Sequence, residues 1–130
     1  MTVMAEDTPV HVLVAEDEVL VAWALRAILE EAGYQVTLAH DGVQALALQA
    51  QTPADVLLTD LQMPRLDGLT LIRRLRAACP TLPVIVMTGA ADVGALDELR
   101  SAPAAGTIIM NKPVSPRPVI AAIQTVLRSA

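Results

Sequence analysis

The strongest constraint in this sequence is an alternation. Short, β-branched apolar runs recur between longer amphipathic stretches, five times along the chain. Runs this brief, separated by segments of helical length, specify parallel strands joined by crossover helices. HVLVA, His11 to Ala15, is the first strand, followed by a helix from Val19 to Ala32 that Gly33 closes as a left-handed cap. Gln35 to Ala39 is the second strand. Asp41 caps a helix running to Gln51, Pro53 blocks its continuation, and Asp55 to Thr59 is a third strand whose VLLT run makes it central. The loop DLQMPRLDG then opens a helix with Leu69, Ile72 and Leu75 inward and Arg73, Arg74 and Arg76 on its wet side, closed by Cys79 and Pro80. PVIVMT, Pro83 to Thr88, reads as a strand buried on both faces, after which Gly89 turns the chain. A helix from Ala91 to Ser101 is expected to be short or mobile, because Gly94 interrupts it and Pro103 truncates it. Gly106 to Asn111 is the fifth strand, and the last helix, Ser115 to Ser129, carries Pro116 and Pro118 in a first turn that tolerates proline.

This is the pattern of one α/β domain with a doubly wound, five-stranded parallel sheet. Its 130 residues suit a single core, with residues 1–10 read as an N-terminal extension and 11–130 as the domain. An apolar content of 54% against 18% charged excludes intrinsic disorder, and the chain is expected to fold unaided. A net charge of −5 argues against direct binding of nucleic acid, which depends on neutralising phosphates. The single Cys79 cannot form an internal disulfide and is read as a packed thiol in a reducing compartment. The longest apolar run, Val19 to Leu25, falls short of the ~20 residues a membrane helix needs. The acidic MTVMAEDTPV start shows no signal peptide, so a cytoplasmic location is expected.

Function in an open parallel sheet gathers at the carboxyl ends of the strands. There the sequence places Glu16 and Asp17 after the first strand, Asp60 after the third, Thr88 after the fourth, and Lys112 with Pro113 after the fifth. Each has an ordinary explanation taken alone. Glu16 and Asp17 suit a helix start, Asp60 a turn, Thr88 a loop contact and Lys112 a solvated surface. Their convergence on one edge is what those explanations do not require. Crowded carboxylates resist full ionisation unless a cation joins them, and an all-oxygen set calls for Mg2+. Zinc is excluded, since Cys79, His11 and His40 lack metal-ligand spacing. A carboxylate beside Mg2+, with an ammonium and a hydroxyl near, has the parts to accept a phosphoryl group. Asp60 is the best nucleophile; Glu16 and Asp17 are better placed as metal holders.

In VLVAEDE, LLTDLQMPRLDG, VIVMTG and NKP, taken in that order, the chain resembles the receiver domain of two-component response regulators from His11 to Leu127. The resemblance implies a flavodoxin-like three-layer fold with strand order 2-1-3-4-5. It implies that Asp60 takes a phosphoryl group from a histidine kinase or histidine phosphotransfer protein and that the domain then changes its partner binding. Asp17 and Asp60 would be direct Mg2+ ligands, Glu16 would act through water, and the Gln62 carbonyl would complete the site. Thr88 and Lys112 would sense the phosphoryl group, and the Lys112–Pro113 bond would be cis. The usual aromatic switch, three residues before the lysine, is Ile109 here. Phosphorylation chemistry is therefore expected to survive while the Thr88-coupled output departs from the family pattern.

The first helix offers a candidate partner surface, beside the ordinary reading that a lone exposed apolar residue is normal. With Val21, Leu25 and Ile28 toward the sheet, Val19, Trp23 and Ala27 share another face, and Trp23 is expected to be partly exposed, for docking or dimerisation. In the resembled family the kinase's helical domain docks beside this helix. Receiver domains assist their own phosphorylation and dephosphorylation without being enzymes in the ordinary sense. Two alternatives stand beside this reading. One is a receiver-like interaction module that works without phosphorylation, motivated by Ile109. The other is an aspartyl-phosphate phosphohydrolase of the haloacid-dehalogenase type, disfavoured because Gln62 stands where that chemistry needs a second aspartate. A flavin site is disfavoured by the acidic loop after the first strand. The sequence leaves open a stand-alone receiver or part of a longer chain, and a monomer or a homodimer.

Overall fold

The computed structural model describes residues 8–89, 93–101 and 106–129. Five strands, β1 (His11–Ala15), β2 (Gln35–Ala39), β3 (Val56–Asp60), β4 (Val84–Thr88) and β5 (Thr107–Asn111), alternate with helices α1 (Val19–Glu31), α2 (Gly42–Gln51), α3 (Gly68–Ala78), α4 (Val93–Ser101) and α5 (Pro116–Ser129). All pairings are parallel, in the order β2-β1-β3-β4-β5. The chain adds strands outward in opposite directions from β1 and from β3, which makes the sheet doubly wound and opens a crevice above their carboxyl ends.

Side chains alternate across the sheet and build two apolar layers. Leu13, Leu57, Val84 and Val86 meet α3 through Leu71, Ile72 and Leu75, with Ala45 of α2 and Leu99 of α4. Val12, Val14, Val56, Leu58, Ile85 and Met87 meet Leu25 and Leu29 of α1 and Val119, Ile123 and Val126 of α5. The three inner strands are buried throughout, which explains their continuous apolar sequence. Leu29 is fully buried, and truncation to alanine there would cost about 3 kcal/mol.

Local chemistry ends the elements, with Asp41 and Gly33 in the expected roles. Asp41 accepts from the Gln44 N–H as the α2 cap, Asp67 accepts from the Thr70 N–H as the α3 cap, and Gly33 turns the chain after α1 at a φ of +99°. Five details differ from the sequence reading. The buried stripe of α1 is Ala22, Leu25 and Leu29, with Val21 and Ile28 only half-buried. This helix is apolar around most of its circumference, so packing sets its phase. Leu71 joins the buried face of α3, and Arg76 leaves the wet side to donate to the carbonyls of Leu82 and Gly106 and to Thr107 Oγ1. Cys79 is exposed, not packed, because it sits at the C-cap beyond the last buried turn. β3 ends at Asp60, so the acidic side chain belongs to the strand itself. Helix α4 is the shortest, nine residues. Residues 1–7 of the expected extension, 91 and 92 at the expected start of that helix, and 102–105 including Pro103 lie outside the described residues. No helix among the described residues is long and apolar enough to cross a membrane.

Candidate functional site at the carboxyl edge

Three parallel strands deliver acidic or basic groups to one spot. Glu16 leaves β1 fully buried, its N–H donating to the Ala39 carbonyl, and Asp60 ends β3 at 6% exposure. Asp17 is the most open of the three, and ligand oxygens of Glu16, Asp17 and Asp60 lie within 4.8 Å of one another. From the β5 end, Lys112 reaches across, its Nζ 2.9 Å from Asp60 Oδ2 and 3.0 Å from Glu16 Oε1. Its N–H bonds the Thr88 carbonyl at 2.9 Å, which anchors the lysine to the end of β4. The Lys112–Pro113 peptide bond is cis.

The backbone holds the other carboxylate oxygens. Glu18 N–H donates to Glu16 Oε2 at 3.0 Å, and Gln62 N–H donates to Asp60 Oδ1 at 3.2 Å. Gly68 allows the loop to fold back over the strand end, since a β-carbon there would overlap the Asp60 carbonyl oxygen. Its N–H bonds the Leu61 carbonyl, closing that loop. An alanine at 68 would push the loop off the acceptor.

Electrostatics at this edge are unbalanced. Burial, the largest influence, raises the Glu16 carboxyl above its ordinary value, against the Glu18 N–H and Lys112, which oppose the rise. Burial alone would lower the Lys112 ammonium; its contacts with Asp60 and Glu16 outweigh this and hold it above its ordinary value. Glu16 Oε1 touches the ammonium at 3.0 Å but has no hydrogen bond of good geometry. A fully buried carboxylate oxygen left in that state has unused capacity for a cation. The all-oxygen cluster therefore fits a hard divalent ion, and it is the one metal-competent group of acidic, His and Cys side chains among the described residues.

The remaining sequence candidates fall as follows. Thr88 is buried at the end of β4, beside the lysine's backbone. Ile109 lies mid-strand in β5 opposite Val86, half-buried against the α3 and α4 side of the core. Val19 and Trp23 are exposed on α1, Trp23 by 54%. A cavity of about 540 Å³ opens beside the site between α1 and the loop after β5, lined by Glu18, Leu20, Val21, Ala24, Leu25, Ile28, Lys112, Pro113 and Val114. Glu18, Leu20, Ala24 and Val114 escaped the sequence reading. Leu20 is 77% exposed, and Glu18 approaches Lys112 Nζ at 3.7 Å. The acidic run EDE was the signal for Glu18, but only the position of Lys112 gives its third carboxylate a partner.

A doubly wound sheet carrying a lysine-bridged carboxylate cluster at its switch point defines a class of α/β signalling domain. A response regulator receiver domain family model matches residues 12–124. The chain is 37% identical over 119 residues to response regulator MprA of Mycobacterium bovis, covering 92% of this chain and 51% of that protein. It thus spans about half the length of the curated relatives it matches. Among solved structures, chemotaxis protein CheY4 of Vibrio cholerae superposes with a TM-score of 0.81 at 26% identity, covering 92% of this chain and 99% of that one. The signal receiver domain of a histidine kinase from Syntrophus aciditrophicus gives 0.79 at 28% identity, with 92% and 91% covered. This chain belongs to the response regulator receiver domain family.

Proposed function

We propose that residues 11–130 form a receiver that accepts a phosphoryl group on Asp60 from a phosphohistidine of a histidine kinase or histidine phosphotransfer protein, in the cytoplasm and with Mg2+. The observation that carries this reading is the Asp60 carboxylate itself, nearly buried yet held between a lysine ammonium and two further carboxylates. A purely structural aspartate has no need of such company. Glu16, Asp17 and Asp60, with the Gln62 carbonyl, would hold the metal. When bound, Mg2+ supplies neutralisation of charge on the transferring phosphoryl oxygens.

The chain's own groups do the rest. An Asp60 oxygen forms a bond to phosphorus as the donor's P–N bond breaks, and the electron pair leaves on the imidazole nitrogen. Lys112 donates to the phosphoryl oxygens and Thr88 offers its hydroxyl, so both act as sensors of the new charge. The Asp60 side chain then carries ~1.5–2 negative charges in place of its single carboxylate charge. The domain modifies itself and turns over no separate substrate beyond its own hydrolysis.

Output from Thr88 and the strand-end loops departs from the family pattern at Ile109. Ile109 is an aliphatic side chain packed into the core layer, with neither ring nor hydroxyl to exchange between positions. The signal is therefore read from loop charge and from the exposed Val19 and Trp23 face of α1, where a kinase, a downstream protein or a second copy docks. Intact mass after incubation with Mg2+ and acetyl phosphate, for the native chain and Asp60→Asn, tests the reading. A phosphate-sized gain confined to the native chain and blocked by EDTA is expected. No gain in folded native protein, with a histidine-kinase donor also tried, would favour the phosphorylation-independent module.

A further inference from the structure

Glu18 occupies the N-cap position of α1, yet its side chain makes no capping hydrogen bond. It turns toward the site instead, Oε1 3.7 Å from Lys112 Nζ, with the side chain 66% exposed. It also shares the wall of the adjoining cavity with Lys112 and Pro113. The ammonium thus meets Glu16 and Asp60 on its buried side and a third carboxylate on its solvent side. Glu18 lies outside the metal-competent cluster, so metal binding does not account for it. A fixed anion at the mouth of a site that takes up a phosphoryl group repels an incoming anionic donor and competes for the lysine that must receive it.

Resting on the proposed acceptor role of Asp60, we infer that Glu18 is a donor-selecting residue. It slows transfer from small, highly anionic phosphodonors and reserves the acceptor for donors that bring compensating positive charge with the phosphoryl group. With acetyl phosphate, the Asp60 oxygen bonds to phosphorus as the P–O bond breaks and acetate leaves with the electron pair. The entering donor carries its full negative charge past Glu18. With phosphoramidate, the nitrogen on phosphorus is protonated at neutral pH and the repulsion is smaller.

The test is the initial rate of mass gain, with Mg2+ present, for the native chain, Glu18→Asp, Glu18→Gln and Glu18→Lys, with each donor at low and high salt. Glu18→Gln is expected to speed acetyl phosphate about fivefold at low ionic strength, in line with one unit charge a few ångströms away in a solvated mouth. Glu18→Lys should exceed it, Glu18→Asp should stay close to native, and phosphoramidate should gain less. All differences should shrink at high salt as screening shortens. Because Glu18 forms no side-chain cap, none of these changes removes a helix contact. An unchanged or slower Glu18→Gln, an equal gain with both donors, or a gain indifferent to salt would overturn the inference while leaving Asp60 phosphorylation standing. No labelling in any variant would overturn both.

Discussion

The two edges of the sheet bury polar groups in opposite ways. At the amino edge, His11 N–H donates to Asp55 Oδ2 at 2.8 Å, the His11 ring lies 2.7 Å from Thr37 Oγ1, and Arg76 ties Leu82, Gly106 and Thr107 together at 2.9–3.1 Å. These groups satisfy one another, mostly through backbone, and join strands that sequence separates. Burial lowers the Arg76 guanidinium, but its carbonyl partners take up the donors. At the carboxyl edge, Glu16, Glu18 and Asp60 gather around one ammonium, and Glu16 Oε1, though 3.0 Å from it, keeps no hydrogen bond of good geometry. A satisfied polar cluster stabilises a fold; an unsatisfied one is held in place by the fold and awaits a ligand.

The contrast can be broken by substitution. Lys112→Met leaves Glu16 and Asp60 buried without their cation and is expected to lower stability by about 3 kcal/mol in denaturant melts without metal. Added Mg2+ should recover much of that loss, because it replaces the missing positive charge. In the native chain, Mg2+ at a hundredfold excess over its dissociation constant should stabilise by ~2.7 kcal/mol, and EDTA should reverse this. Asp17→Asn should blunt that response in thermal melts. If the native melting temperature ignores Mg2+, the carboxyl edge is not a metal site.

Arg76→Met tests the other edge. It strips partners from the Leu82 and Gly106 carbonyls and the Thr107 hydroxyl and should cost about 2 kcal/mol, while the phosphorylation rate of the folded protein stays within about twofold. A large rate loss there would mean the two edges are not separable. The smallest effect belongs to the exposed pair of Arg73 on α3 and Glu98 on α4. Arg73 holds the Glu98 carboxyl below its ordinary value, so its contribution is present above the unfolded carboxylate value and is lost as pH falls through the lowered one. Glu98→Gln should change the melting temperature slightly at neutral pH and not at all once the native carboxylate is protonated.

The site was more legible in the sequence than the helix faces around it. Strand runs such as VLLT and VIVM carry their own signature, and parallel topology alone brings the residues after them to one edge. Glu16, Asp17 and Asp60 could be grouped for that reason, and the structure gathers their carboxylates. Arg76 looked like one more wet arginine, because its partners at Leu82 and Gly106 come from loops that no helical periodicity points to. The phase of α1 was equally hidden. With apolar residues from Val19 to Leu25 on every side, only contact with the sheet selects Ala22, Leu25 and Leu29. Glu18 was passed over because its meaning depends on a lysine far along the chain.

The most direct measurement is to trap the product chemically. Borohydride reduces an acyl phosphate to the alcohol, so treatment after transfer, followed by peptide sequencing, marks the acceptor. Conversion of residue 60 alone, dependent on Mg2+ and absent in Asp60→Asn, is the expected result. Conversion at any other acidic residue, or none in protein that has gained phosphate, would contradict Asp60 as the acceptor around which the carboxyl edge is built.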